Sequence, residues 1–192
     1  MNRTDKLKRM VFNGLLLEDS LKRLSEAGIH VDRGSQTEPI IRIEESDFSP
    51  RIIHQAGRMA SVYTAFFSLE NAVRELIEAR LLERKGLTWW KDCVPDKIQK
   101  AAIGLKEKEQ KNRYHAPRSA SDIGYTLFGN LSQIIVANWE DFSDLFPDQH
   151  WLSSRFNDLE LSRNIIMHSG ILPENEIERI ESIARDWVRQ VG

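Results

Sequence analysis

The sequence predicts an all-α protein, an up-and-down helical bundle carrying an N-terminal helix and a short extended arm. Three observations predict it. Apolar residues recur at three- and four-residue spacing through most of the chain. The stretches that carry this spacing are bounded by helix punctuation, Ser-Pro or Ser-Asp before and Gly or Pro after. Runs rich in β-branched residues are confined to one short region, residues 29–43. Two parts follow: residues 1–48, a helix plus an arm or hairpin, and residues 49–192, the bundle.

Thr4 to Ala27 reads as an amphipathic helix through Leu7, Met10, Val11, Leu15, Leu17, Leu21 and Leu24, stopped by Gly28. Arg3, Lys6, Lys8 and Arg9 oppose the dipole at its start, so packing must hold it. Ile29-His30-Val31 and Pro39-Ile40-Ile41-Arg42-Ile43 then form a small hairpin or an ordered arm that packs on the bundle or on a second subunit.

Ser49-Pro50 opens the longest helix, with Ser as N-cap and Pro at the first helical position. The apolar period runs from Ile52 to Leu82 and ends at Lys85-Gly86. That is roughly 35 residues or about 50 Å, with Gly57 and Ser61 leaving room for a bend. This helix is the expected spine.

Trp89-Trp90 opens a short irregular piece whose indoles suit core anchoring better than base stacking. Val94-Pro95-Asp96 starts a helix to about Lys108, and Ser121-Asp122 caps another to about Asn138. An aromatic turn follows through Trp139, Phe142, Leu145 and Phe146. The next helix covers about Gln149 to His168, and Pro173 begins the last.

Composition limits the function classes. A formal charge of -2 argues against a generic polyanion binder, so any nucleic-acid contact must use a local patch. Cys93 is the sole cysteine, which removes a disulfide framework and a Cys-based zinc site. His30, His54, His115 and His150 show no metal-ligand spacing, so no metal and no cofactor is expected. No phosphate-cradling Gly-rich loop and no nucleophile elbow is present. No apolar run reaches membrane-spanning length and none follows the N-terminus, so a cytoplasmic protein without membrane contact is expected.

The stretch richest in chemistry is Arg163-Asn164-Ile165-Ile166-Met167-His168. The guanidinium suits bidentate contact with anionic oxygens, and the imidazole suits proton transfer. On an ideal helix these two residues lie about 140° apart, poorly placed to meet. Either the helix ends or distorts at His168, or a second copy supplies the partner. Ser169-Gly170 follows at once, which places His168 at a helix C-terminus, where the dipole favours a cation.

An Arg followed directly by a polar residue, with a His a few positions on near the end of a late helix, resembles the signature of the HEPN superfamily. Phe67-Ser68-Leu69-Glu70-Asn71-Ala72-Val73-Arg74-Glu75-Leu76-Ile77 resembles that family's first core helix. Trp89-Trp90 and Tyr125-Thr126-Leu127-Phe128-Gly129-Asn130-Leu131 are similar to its Swt-type branch. The resemblance covers about residues 49–185. It implies a homodimer in which both Arg–His sets line one cleft. It implies metal-independent RNA cleavage through the ribose 2′-hydroxyl, leaving a 2′,3′-cyclic phosphate. Toxins and defence effectors are among the family's members, so a neutralising or activating protein partner is also implied. The alternative is a non-catalytic HEPN module that binds RNA or a protein.

Individual residues carry rival readings. His168 is the expected general acid or base, or else a C-cap or core histidine. Arg163 is expected to hold the scissile phosphate. Asn164 orients His168 or bonds a phosphate, or is a plain surface residue. Glu70 sits in an apolar frame and needs a cation, with Arg163 and Arg74 equally eligible and Asn71 facing the same cleft. Between Lys97 and Arg118, seven Lys or Arg stand against Glu107 and Glu109. Lys106, Lys108, Lys111, Arg113, His115 and Arg118 form either a solvated helix and loop or a phosphate-tracking patch with Tyr114.

Overall fold

The computed structural model describes residues 47–112 and 114–191. The N-terminal helix and the arm expected before residue 47 lie outside the described residues, as do His30 and Arg113. Among the described residues there are seven α-helices and no strand. No helix there is long and apolar enough to cross a membrane.

Helix α1, Pro50–Lys85, runs 36 residues without a break. Its length is about 54 Å. The Ser49 hydroxyl accepts from the Ile52 amide, and Gly86, at φ 78°, stops the helix while its amide donates to the Leu82 carbonyl. The room for a bend at Gly57 and Ser61 is not used; the Ser61 hydroxyl donates to the Gly57 carbonyl and the helix continues. Val62, Phe66, Leu69, Val73, Ile77 and Leu81 are buried, so one stripe of α1 carries the core.

The stretch at Trp89-Trp90 is not irregular. It forms a one-turn helix, α2, Trp89–Cys93, because the Thr88 carbonyl accepts from both the Lys91 and Asp92 amides. Trp89 is buried and meets Trp90 edge to face at 5.6 Å, which makes it a core anchor. Helix α3, Asp96–Gln110, follows.

The helix expected from Ser121 to Asn138 is two pieces. A 3-10 turn at Asp122–Tyr125 is followed by extended Thr126 and Leu127, and α4 spans Phe128–Ala137. The apolar spacing crosses this joint unbroken, so side-chain hydrogen bonds decide it. The Thr126 hydroxyl turns back onto the Ile123 carbonyl at 2.6 Å. Asn130 Oδ1 accepts from the Leu127 amide at 3.1 Å and starts α4 afresh. The aromatic turn contains a further one-turn helix, α5, Trp139–Phe142. Helix α6 is Gln149–Met167, with Asp148 accepting from the Trp151 amide, and α7 is Glu174–Val191.

Helix α1 touches α2, the 3-10 turn, α4, α5, α6 and α7, and α4 lies along α6. A chain of rings joins these elements. Phe66 meets Phe128 at 6.3 Å, Phe128 meets Phe156 at 5.8 Å, Phe156 meets Trp187 at 5.8 Å, and Trp187 meets Phe146 at 5.5 Å. Phe128 is fully buried in the middle of it. Replacing Phe128 with Ala is expected to lower stability by about 3–5 kcal/mol in urea unfolding, since it removes a ring at the junction of α1, α4 and α6.

Candidate functional site

The site is built around Glu70, whose side chain is only 8% exposed. A carboxylate this buried needs positive partners on its oxygens. Arg74 donates through one Nη to Oε1, one helical turn along α1. Arg163, arriving from α6, sets its Nε 3.4 Å from Oε2. The two cations that the sequence offered as alternatives are both used, one on each oxygen.

Arg74 is the most constrained member. The Nη bound to Glu70 also donates to the Thr126 carbonyl at 2.6 Å, and the other Nη donates to Asn71 Oδ1 at 3.0 Å. Its Nε is buried with no partner among the described residues. Burial pulls this guanidinium below its usual pKa. Glu70 opposes the shift, and the charges of Arg163 and Arg118 reinforce it. The joint between the 3-10 turn and α4 therefore has a role at the site: it delivers the Thr126 carbonyl to Arg74.

Glu70, Asn71, Arg74 and Arg163 line one open cleft of about 900 Å³ between α1, α6 and the segment leading into the 3-10 turn. Tyr63 and Phe67, half-exposed on α1, face into it. Arg163 is anchored by Nε alone, and its two Nη groups have no hydrogen-bond partner among the described residues.

His168 and Asn164 are exposed and do not line this cleft. Within one chain the structure thus separates them from Arg163, as the helical angle requires. Helix α6 stops at Met167, with His168 as its C-cap. The Ser169 amide donates to the Ile166 carbonyl at 2.9 Å, and the Gly170 amide donates to the Ile165 carbonyl at 2.8 Å. This pair of bonds is a Schellman end. Ser169, not Gly170, takes the left-handed backbone, at φ 60°. Gly170 serves a different need: a Cβ there would lie 2.5 Å from Ile165 Cγ2 and 2.7 Å from its carbonyl oxygen.

The basic stretch does not act as a unit. The Lys106 ammonium is committed to Asp122 and lies over the Tyr125 ring. Lys108, Lys111 and His115 are exposed outside the cleft lining, and Tyr114 is fully exposed. Among the described residues of the expected patch, Arg118 alone reaches the cleft. It is held there by Glu109, a residue the charge count had treated only as a subtraction. Glu109 Oε2 accepts from the Arg118 amide at 3.0 Å and from the Tyr125 hydroxyl at 2.9 Å, while Arg118 Nε lies 3.4 Å from Oε1. The Arg118 amide chiefly holds the Glu109 carboxyl below its ordinary range; burial opposes it, and the Tyr125 hydroxyl and the Arg118 charge add smaller lowering effects.

Two outcomes follow from this geometry. A carboxyl with a depressed folded-state pKa contributes stability that is present above the unfolded glutamate value, about 4.3, and is lost as pH falls through the lower value. Melting temperature should therefore fall more steeply below about pH 4.3 in the wild type than in Glu109→Gln, as read by circular dichroism. Ser169→Gly removes a side chain from the left-handed region and should raise stability by about 1 kcal/mol in urea unfolding. Comparisons of the chain with family models, with curated proteins and with solved structures returned no match.

Proposed function

We propose that the chain is a HEPN-type endoribonuclease that acts as a dimer and cleaves RNA without a metal ion. The observation that carries this reading is the mounting of Arg163. Its Nε is set against Glu70, neither Nη has a hydrogen-bond partner among the described residues, and the residue lines the cleft, an arrangement that leaves donors for the non-bridging oxygens of a phosphodiester. A neutral core role would leave those donors satisfied by the protein.

The chemistry is transesterification. The ribose 2′-oxygen bonds to phosphorus, the bond from phosphorus to the 5′-oxygen breaks, and a 2′,3′-cyclic phosphate remains. One proton leaves the 2′-hydroxyl and one is delivered to the departing 5′-oxygen. His168 is the titratable group suited to both transfers. It stands outside the cleft of its own chain, so the proposal requires a second copy to bring an imidazole to each phosphate. Exposed Leu161, Ile165 and Met167 on α6 give that second copy apolar surface to cover. Asn164, exposed on α6, is available to bond the phosphate or orient the imidazole across such a pairing.

One observation favours the rival reading, a non-catalytic module that binds RNA or a protein. Arg163 and Arg74 together neutralise Glu70, and a purely structural ion-pair cluster would look the same at Glu70. The open Nη groups of Arg163 weigh against it.

The test is a cleavage assay on single-stranded RNA that reads the product ends. Wild-type protein should yield cyclic phosphate termini. His168→Ala should lose about 10²–10⁴-fold in rate. Arg163→Ala should lose a comparable factor while retaining its helical circular dichroism. Intact RNA with wild-type dimer, or unchanged cleavage by His168→Ala, removes the nuclease reading.

A further inference from the structure

Two arginines that line the cleft are mounted in the same way. Arg163 rises from α6 and rests its Nε on Glu70; Arg118 stands on the segment after α3 and rests its Nε on Glu109. Each sets its Nε 3.4 Å from an oxygen of an internal carboxylate. Each keeps its Nη fork without a hydrogen-bond partner among the described residues, and both line the cleft. Both lie close enough to Arg74 to act on its charge.

The Arg118 mounting is not a casual surface contact. The Arg118 backbone is fixed by Glu109 at 3.0 Å, and its guanidinium lies over the Tyr125 ring at 5.8 Å. Ser119, the next residue, packs so closely on Gly124 that a Cβ at Gly124 would lie within 2.2 Å of both its Cβ and its Oγ. The Ser119 carbonyl accepts from the Tyr125 hydroxyl at 3.4 Å. The segment is thus pinned to α3 at the Arg118 amide and to the 3-10 turn at Ser119.

The cleft also offers aromatic surface. Tyr63 is 45% and Phe67 59% exposed, one helical turn apart on α1 with ring centroids 6.2 Å from each other. Exposed rings at a charged cleft suit the face of an unpaired base. Glu75 and Glu78 also line the cleft, further along α1, and close that end to phosphate. The volume, about 900 Å³, sits at the upper end of the roughly 300–1,000 Å³ typical of ligand pockets.

We infer that the cleft binds single-stranded RNA at two phosphates, one on Arg163 and one on Arg118, with a base stacked on Phe67 and Tyr63. The inference rests on the reading of this cleft as an RNA site and adds the substrate class: unpaired strand, gripped over more than one nucleotide. A duplex keeps its bases stacked on one another and has none to place on Phe67.

The experiment measures binding and leaves catalysis aside. The probe is a fluorescently labelled single-stranded RNA hexanucleotide, titrated with His168→Ala protein between about 50 and 200 mM salt. Arg118→Ala on that background should weaken binding and lower the slope of log affinity against log salt by about 0.7, the loss of one phosphate contact. Phe67→Ala should weaken binding about 5- to 150-fold with the slope unchanged. The same sequence as duplex should compete at least an order of magnitude less well. Arg118 and Phe67 are both exposed, and circular dichroism checks that each variant stays folded. Binding that ignores Arg118→Ala overturns the two-phosphate site and leaves the nuclease reading to the cleavage assay. Failure of the hexanucleotide to bind, or equal binding of duplex, likewise overturns it, and wild-type cleavage still decides the nuclease question separately.

Discussion

A single buried carboxylate sets the terms for this part of the molecule. Glu70 lies in the apolar stripe of α1, among residues that face the core. Its charge is tolerated because α1 itself brings Arg74 and α6 brings Arg163. Arg74 in turn reaches the Thr126 carbonyl. One ion cluster therefore ties the spine, the joint before α4 and the helix that carries the proposed phosphate grip. Removing one member of a buried cluster typically costs about 3–5 kcal/mol, because the others are left uncompensated. The same cluster that fixes the relation of three elements also aims Arg163.

The guanidinium clusters of the cleft illustrate how charge can be both neutralised and kept available. Each arginine meets its carboxylate through Nε, an edge contact, and the planar fork is held away from the anchoring carboxylate. Lysine in the same place has no second edge. Lys106 makes the contrast: its ammonium is spent on Asp122 and it contributes packing over Tyr125.

Much of this was legible in the chain itself, for identifiable reasons. Ser49-Pro50 and Gly86 bound α1 because each meets a backbone need that no neighbour has to supply. Glu70 stood out because an acid inside an apolar stripe demands a cation; the sequence left two candidates, and a carboxylate has room for both. The stop at His168 was readable from Ser169-Gly170, but the roles within it were reversed, since Ser169 takes the left-handed residue and Gly170 the close approach. The split at Thr126-Leu127 was not readable. Ile123, Leu127 and Leu131 keep a helical period across it, and the side-chain hydrogen bonds of Thr126 and Asn130 that break it leave no mark on that period. Nor could counting charges single out Arg118 from its basic neighbours. What distinguishes it is a hydrogen bond from its own backbone to Glu109, a contact set by the path of the loop.

The Schellman end of α6 has a consequence for how His168 can meet anything. The two amide bonds that close it, and the collision that excludes a Cβ at Gly170, fix the main chain on the C-terminal side, while nineteen residues of helix fix it on the other. The imidazole therefore hangs from a stiff mount with only its own torsions free. Ordering such a ring against a phosphate or another subunit costs about 0.5–1.5 kcal/mol of rotamer freedom. The same ring on a slack loop would add about 1–2 kcal/mol for every backbone residue brought to order. An encounter at this helix end is thus entropically cheap, and it discriminates by direction of approach because the mount does not swivel.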